Sequence, residues 1–227
     1  ITSDIKECNW YFAGLGILLS AALLLLALTG KAGSFLSLNS YHPFLLNVFF
    51  INYTFLGDGI FAFCLIGYFF YRKRKDTAFA LLLSFLLSGF IVQLIKNFVS
   101  APRPKIFFEN GQYLHFIDGV SHGGYSSFPS GHTATAFAIA TVVVLMMKNK
   151  AWQIFILTAA ALVGYSRIYL AQHFLIDVII GSLIGSVAGI LSIYLIGKAA
   201  GYKRAVHQIQ SEKGNSSLPA HSTIQTG

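Results

Sequence analysis

Three cations, two histidines and one carboxylate stand in three short motifs among the long apolar runs of this chain. They fall in three pieces: Lys96-(six residues)-Arg103-Pro104, then Pro129-Ser130-Gly131-His132, then Ser166-Arg167-(five residues)-His173-(three residues)-Asp177. Ionisable groups are costly to place among apolar segments of a membrane, so each one is a hypothesis for a functional position. Histidines can attack and transfer protons, and Lys and Arg can hold anionic oxygens. The set predicts a site that handles phosphate.

His173 and Asp177 form the first constellation, because residues four apart on a helix share one face. A carboxylate there can hold one ring nitrogen of the histidine and direct the other outward, as a histidine nucleophile or base requires. The alternative is a structural His–Asp pair that closes a helical turn.

The second constellation, Pro129 to His132, stands where a loop enters an apolar run. A helix start offers free backbone N–H groups to an anion, Gly131 permits close approach and Ser130 can donate its hydroxyl. His132 would then serve the leaving group. The alternative is a plain helix cap by Ser130, with His132 at the interface.

Lys96 and Arg103 flank the end of the third apolar run. Either side chain could instead snorkel to lipid headgroups. Arg103 stands between Pro102 and Pro104, which stiffen its backbone and favour a bidentate oxyanion ligand.

Further polar residues carry weaker signals. Asp58, between Gly57 and Gly59, could meet a cation of the site or make a polar contact between helices, and both interpretations stay open. We assign no role to His115, Asp118 and His122 in the 105–128 loop.

Composition indicates a polytopic membrane protein. Of the 227 residues 55% are hydrophobic and only 11% charged, and the mean hydropathy is +0.66, whereas soluble domains carry about 25% charged residues. The net charge of +8 does not predict nucleic-acid binding, because the basic residues stand at the ends of apolar runs and in the phosphate motifs. Cys8 and Cys64 provide neither a disulfide framework nor metal-ligand spacing.

Hydropathy predicts an all-α fold, a single bundle of six transmembrane helices. The expected spans are 10–29, 44–71, 77–99, 132–147, 151–170 and 174–197, and we expect the first to be retained rather than cleaved as a signal peptide. Residues 1–204 form the predicted domain, and 205–227 a polar, disordered tail. The basic stretches 72–75, 148–150 and 198–204 fall on one face, which places both termini in the cytoplasm and all three motifs on the outer face.

The three pieces together resemble the tripartite signature of the type 2 phosphatidic acid phosphatase family, and every motif position matches between 96 and 177. The resemblance implies a six-helix membrane phosphatase that uses no metal or other cofactor. It also implies roles: His173 is phosphorylated, Asp177 supports it and His132 protonates the leaving oxygen. The residues that would bind the phosphoryl oxygens are Lys96, Arg103, Ser130, Gly131 and Arg167.

The resemblance further implies a lipid substrate in the bilayer: phosphatidic acid, phosphatidylglycerol phosphate, undecaprenyl diphosphate or lipid A. The size suggests a bacterial inner membrane with the site facing the periplasm. Alternatives are a lipid phosphotransferase with the same phosphohistidine, an enzyme acting on a sugar phosphate, and a non-catalytic membrane carrier or scaffold. The sequence leaves the headgroup and the oligomeric state open.

Overall fold

The computed structural model describes residues 7–108, 115–117, 119–120, 123–147 and 149–216, the last seventeen as backbone only. Helices account for nearly all of this described part, and its strand-like pairing is one isolated bridge between Ala101 and Ser126. The helices are α1 (Asn9–Leu38), α2 (Phe44–Tyr53), a 3₁₀ turn (Thr54–Gly57), α3 (Gly59–Tyr71), α4 (Lys75–Phe98), α5 (Pro104–Phe107), α6 (Gly131–Leu145), α7 (Lys150–Tyr169) and α8 (Leu175–Ser216). The predicted all-α class is confirmed.

The membrane helix bundle is confirmed, but the count of six spans is not. Among the described residues, α1, α4, α7 and the 175–199 part of α8 are long and apolar enough to cross a bilayer. Helices α2 and α3 make a fifth span only as a pair bent by 55° at Asp58. Helix α6 has 15 residues, about 22 Å at 1.5 Å per residue, against about 30 Å of hydrocarbon.

Helix α6 is short because it is the buried centre of the bundle. Every residue from Thr133 to Val142 is buried, and α4, α7 and α8 pack around it. Its sequence consists largely of Ala, Thr and Val, so neighbouring helices approach it from all sides. The helix runs from the site at its first residue toward the opposite end of the bundle, where α7 begins five residues after α6 ends.

The closest approach to α6 is made by a glycine stripe on α8. A Cβ atom at Gly181 would lie 2.6 Å from the carbonyl oxygen of Ser130, and one at Gly189 would lie 2.7 Å from Cβ of Thr141. A Cβ at Gly185 would overlap the carbonyl oxygen of Ala134. Spacing of four places all three glycines on one face. The two backbones thus touch, which sets the start of α6 beside the start of α8.

Hydrogen bonds at the same end of the bundle join α1 to α7. The Asn39 side-chain amide donates to the carbonyl oxygens of Ile168 and Tyr169, each at 2.8 Å. The Tyr165 hydroxyl donates to the carbonyl of Leu38 at 3.1 Å. Because α7 ends there, these bonds also hold the turn that leads into α8.

Two predictions about the chain's organisation stay predictions. The backbone of α8 continues to Ser216, past the expected domain boundary at 204, and 217–227 lie outside the described residues. The basic α3–α4 turn and the start of α7 lie at the end of the bundle opposite to the motifs, as helix order requires. Lys148 lies outside the described part. Which end faces the cytoplasm stays a prediction.

Gly185→Ala should lower the free energy of unfolding by about 1–3 kcal/mol, because the added methyl forces α6 and α8 apart. Thermal unfolding of the detergent-solubilised protein measures this. Gly89→Ala, at an exposed position of α4, is the matched control, since a Cβ there meets nothing within 4 Å and alanine is the better helix former. Equal thermal midpoints for the two variants would contradict close α6–α8 contact.

Candidate active site

The site lies at the end of the bundle where α4 ends, α6 begins and α7 turns into α8. Two stretches of the long connection are tied together there: the Ala101 N–H donates to Tyr125 at 2.9 Å, and the Ser127 N–H donates to Ala101 at 3.0 Å. The Arg103 N–H donates to the Gly124 carbonyl at 3.1 Å. These bonds pair residues 101–103 with residues 124–127, so Arg103 and Ser127 lie on two neighbouring stretches of backbone.

The turn from α7 to α8 brings Arg167 and His173 together. Ala171 has φ 50°, the left-handed conformation that glycine usually supplies. Its N–H donates to Ile168, and the Gln172 N–H donates to Arg167, each at 3.0 Å, which is the Schellman pattern of a helix end. The His173 N–H donates to the same Arg167 carbonyl at 3.2 Å. The backbone of this turn thus places His173, the predicted nucleophile, beside Arg167.

His173 and Asp177 meet as their spacing predicts, although His173 lies in the turn just before α8. Its Nδ1 is 3.6 Å from Oδ2 of Asp177, a contact longer than a hydrogen bond. The same Oδ2 accepts from the Ser127 hydroxyl at 2.6 Å and from the Phe174 N–H at 2.9 Å. The bond from the Phe174 N–H is half of a capping box, in which an acid in the first turn of a helix accepts from the backbone N–H just before that helix.

Burial decides the protonation of this pair. His173 is 2% exposed and Asp177 1%. Burial lowers the pKa of the His173 imidazole to about 4, and the neighbouring Asp177 carboxylate offsets only part of that effect. His173 is therefore a neutral imidazole at pH 7, with a free electron pair on one ring nitrogen.

Ser130 is fully buried and caps α6. Its Oγ accepts from the Thr133 N–H at 3.4 Å and lies 2.8 Å from the Thr133 hydroxyl. Its own N–H donates to the Asp177 carbonyl at 3.0 Å, which joins the starts of α6 and α8. The plain helix cap is thus present, and phosphate binding by Ser130 and Gly131 stays a prediction.

His132 faces Asp58 at the mouth of the site. The His132 Nε2 and the Asp58 Oδ2 are 3.7 Å apart, and their side chains are 34% and 37% exposed. Asp58 Oδ1 accepts from the Ile60 N–H at 2.8 Å and caps α3. Asp58 thus makes a local helix-capping bond and also approaches the predicted site at His132, so its role in the site stays a prediction.

Three cations surround the buried pair. Lys96 interacts electrostatically with Arg103, Asp177 and Arg167, and Arg103 interacts with Asp177. Arg167 is 5% exposed; its Nη1 donates to the Thr54 hydroxyl at 2.6 Å, and its Nε has no hydrogen-bond partner among the described residues. With Asp58 and Asp177 as counter-charges, the cluster keeps an excess of positive charge, which suits an anion.

The structure brings together all eight residues that the sequence predicts for the site, but sequence reasoning missed Thr54 and Ser127. Neither residue type is unusual, and only the Gly57-Asp58-Gly59 interruption hinted that the 54–58 turn was special. In the outer loop, His115 stacks on His42 with ring centroids 4.6 Å apart. Asp118 and His122 lie outside the described residues. No group of three or more His, Cys, Asp or Glu side chains in the described part is placed to hold a metal.

Comparisons with known proteins agree on one family. The family model of the PAP2 superfamily matches residues 77–200. A lipid A 4'-phosphatase of Porphyromonas gingivalis is 30% identical over 173 residues, 73% of each chain. The alignments to several further curated relatives span about half of their length.

Two solved structures share the fold. Aquifex aeolicus LpxE superposes with a TM-score of 0.65 at 35% identity, covering 72% of this chain and 94% of that one. A transmembrane PAP2 type phosphatidylglycerolphosphate phosphatase from Bacillus subtilis superposes at 0.61 with 26% identity, covering 85% and 96%.

Ser127→Ala should lower kcat/KM by about 10- to 100-fold, because Asp177 loses a hydrogen bond to a charged oxygen that is worth about 1.5–3 kcal/mol. Phosphate release by the purified variant measures the loss. Ser84→Ala is the matched control: Ser84 is equally buried and donates only to the Leu81 carbonyl of its own helix. Ser127→Thr, which keeps the hydroxyl, should retain more activity than Ser127→Ala. Equal losses at Ser84 and Ser127 would argue against the Ser127–Asp177 support.

Proposed function

This chain belongs to the PAP2 superfamily and is a phosphatase acting on lipid phosphates, and we propose that it works without metal, through a phosphohistidine on the outer membrane face. The observation that carries the proposal is the buried, neutral His173 between Asp177 and three cations. A neutral imidazole supplies a nucleophile, and the excess positive charge supplies a place for the phosphoryl group.

His173 attacks phosphorus in the first step. Asp177, itself held by Ser127 and the Phe174 N–H, faces Nδ1 and thereby leaves Nε2 as the attacking atom. A P–N bond forms while the P–O bond to the lipid breaks. As positive charge develops on the ring, the Asp177 carboxylate stabilises it.

Lys96, Arg103 and Arg167 bind the phosphoryl oxygens. Their charges oppose one another when the site is empty, so an entering dianion relieves that repulsion. The Ser130 hydroxyl and the backbone N–H groups at the start of α6, from Gly131 onward, add donors that need no reorganisation during the reaction. The same charges are what a metal ion would otherwise contribute.

His132 transfers the protons. It gives one to the leaving oxygen of the lipid, so that an alcohol departs instead of an alkoxide. In the second step it takes a proton from water, which attacks phosphorus, breaks the P–N bond and releases inorganic phosphate. Its position at the partly exposed mouth is where both the alcohol and the water would pass.

The substrate is a phosphorylated membrane lipid. The relatives are named for lipid A and for phosphatidylglycerolphosphate, and apolar helices surround the site here. In the proposed topology the basic α3–α4 turn faces the cytoplasm together with both termini, and the opposite end of the bundle, which holds the site, lies at the outer leaflet of a bacterial inner membrane; the basic residues of that turn support this orientation. Assay of purified protein against phosphatidic acid, phosphatidylglycerol phosphate, lipid A and undecaprenyl diphosphate tests the proposal, and transfer to a second lipid instead of water would identify a phosphotransferase.

Activity should survive EDTA, because side chains supply the positive charge at the site. Vanadate should inhibit, because a five-coordinate adduct on His173 resembles the transition state. Phosphate release after chelation and after vanadate titration measures both effects. Loss of activity with EDTA and recovery with magnesium would contradict the proposed mechanism.

His173→Ala should abolish turnover of every substrate. His132→Ala should reduce lipid hydrolysis by about 10²–10⁴-fold but reduce nitrophenyl phosphate hydrolysis much less, because nitrophenolate leaves without a proton. The comparison requires that formation of the phosphoenzyme limits the rate. Acid-labile phosphate on the protein should disappear with His173→Ala and persist with His132→Ala. Equal losses on both substrates without trapped phosphate would contradict the division of roles.

A further inference from the structure

The second apolar segment is interrupted beside the active site. Helix α2 ends in the 3₁₀ turn Thr54–Gly57, Asp58 is extended with ψ 152°, and α3 restarts at an angle of 55°. An unbroken helix would leave fewer backbone groups unsatisfied in a bilayer. Asp58 lies outside residues 77–200, the part of the chain that the family model matches.

Three contacts fix this interruption against the site. The Thr54 hydroxyl accepts from Arg167, and a Cβ at Gly57 would lie 2.7 Å from the His132 carbonyl oxygen and 3.0 Å from its Cβ. Asp58 uses Oδ1 to cap α3 through the Ile60 N–H. Its orientation is therefore set, and Oδ2 faces His132 Nε2 at 3.7 Å.

The electrostatic partners of His132 come from several neighbouring elements. Burial disfavours a positive charge on its ring most strongly, and Arg167 of α7 and Lys96 of α4 add to that effect. Asp58 is the one carboxylate among these described partners, and it favours that charge. Opposite charges at this distance attract substantially even near a protein surface. The negative charge of Asp58 therefore offsets, at the His132 ring, the effect of the cations that would also bind the phosphate.

We propose that Asp58 is a positioning residue that makes this site prefer phosphate monoesters of neutral alcohols over diphosphates. The inference rests on the proposed function, in which His132 protonates the leaving oxygen. A lipid alcohol leaves well only with that proton, so it benefits from a protonated His132. A diphosphate instead loses a lipid monophosphate, an anion that needs no proton and that a carboxylate repels.

The geometry places Asp58 on the leaving-group side. His173 and Asp177 are almost fully buried, whereas His132 and Asp58 are about one-third exposed. The phosphoryl group therefore binds on the buried side and the rest of the substrate extends past Asp58. In a diphosphate, the second phosphate would occupy that position.

The test compares a prenyl monophosphate with the prenyl diphosphate of the same chain length. Asp58→Asn removes the charge and keeps the helix cap, because asparagine caps as well as aspartate. The ratio of kcat/KM for monophosphate to kcat/KM for diphosphate should fall about tenfold. The basic limb of the monophosphate pH profile should move to lower pH, because His132 loses its proton more readily. Asp76→Asn, in the first turn of α4 at the other end of the bundle, should leave the ratio unchanged.

An unchanged ratio, or a parallel loss on both substrates, would overturn the inference and leave the proposed function intact, provided that His173→Ala still abolishes phosphate release. If Asp58→Asn unfolds, Asp58→Ser, which also caps a helix, gives the same comparison. Wild-type protein that releases phosphate from neither substrate nor any lipid of the panel would count against the proposed function itself.

Discussion

Direct contact between the backbones of α6 and α8 is the constraint on which the rest of the structure depends. Gly181, Gly185 and Gly189 leave no side chain of α8 between the two helices. The start of α6 can therefore lie against the start of α8, where the Ser130 N–H reaches the Asp177 carbonyl at 3.0 Å. In a membrane, where apolar burial does not favour one helix pair over another, such close packing is the main source of specific association. Ser130 and Asp177, 47 residues apart in sequence, thus meet in one site.

The site combines charges that would repel one another in the absence of substrate. Lys96, Arg103 and Arg167 stand close together, and Asp177 is committed to His173, Ser127 and the Phe174 N–H. Such an arrangement persists only where the backbone holds it, here through the Schellman turn after α7 and the paired stretches around Ala101 and Ser127. The excess positive charge is the physical reason that the site suits a phosphate dianion.

The interruption of the second apolar segment adds a further charge at the mouth of the site. Thr54 and Gly57 contact Arg167 and His132, and Asp58 adds a negative charge where the others add positive charge. The cluster is thereby polarised, with cations around the buried His173–Asp177 pair and the Asp58 carboxylate at its mouth.

The membrane class and the all-α fold were readable from the sequence, because apolar runs are local signals that survive without tertiary contacts. The costly charges among those runs also predicted the residues of the site, and their roles stay a prediction. It also predicted that His173 and Asp177 would meet, since their spacing of four is a property of the chain. The tertiary structure decided what depends on distant partners: that α6 is a short central helix, that Ser127 and Thr54 support Asp177 and Arg167, and that Asp58 faces His132. Ser and Thr are common residues and Asp58 lies 74 positions before His132, so only close helix packing brings them to the site.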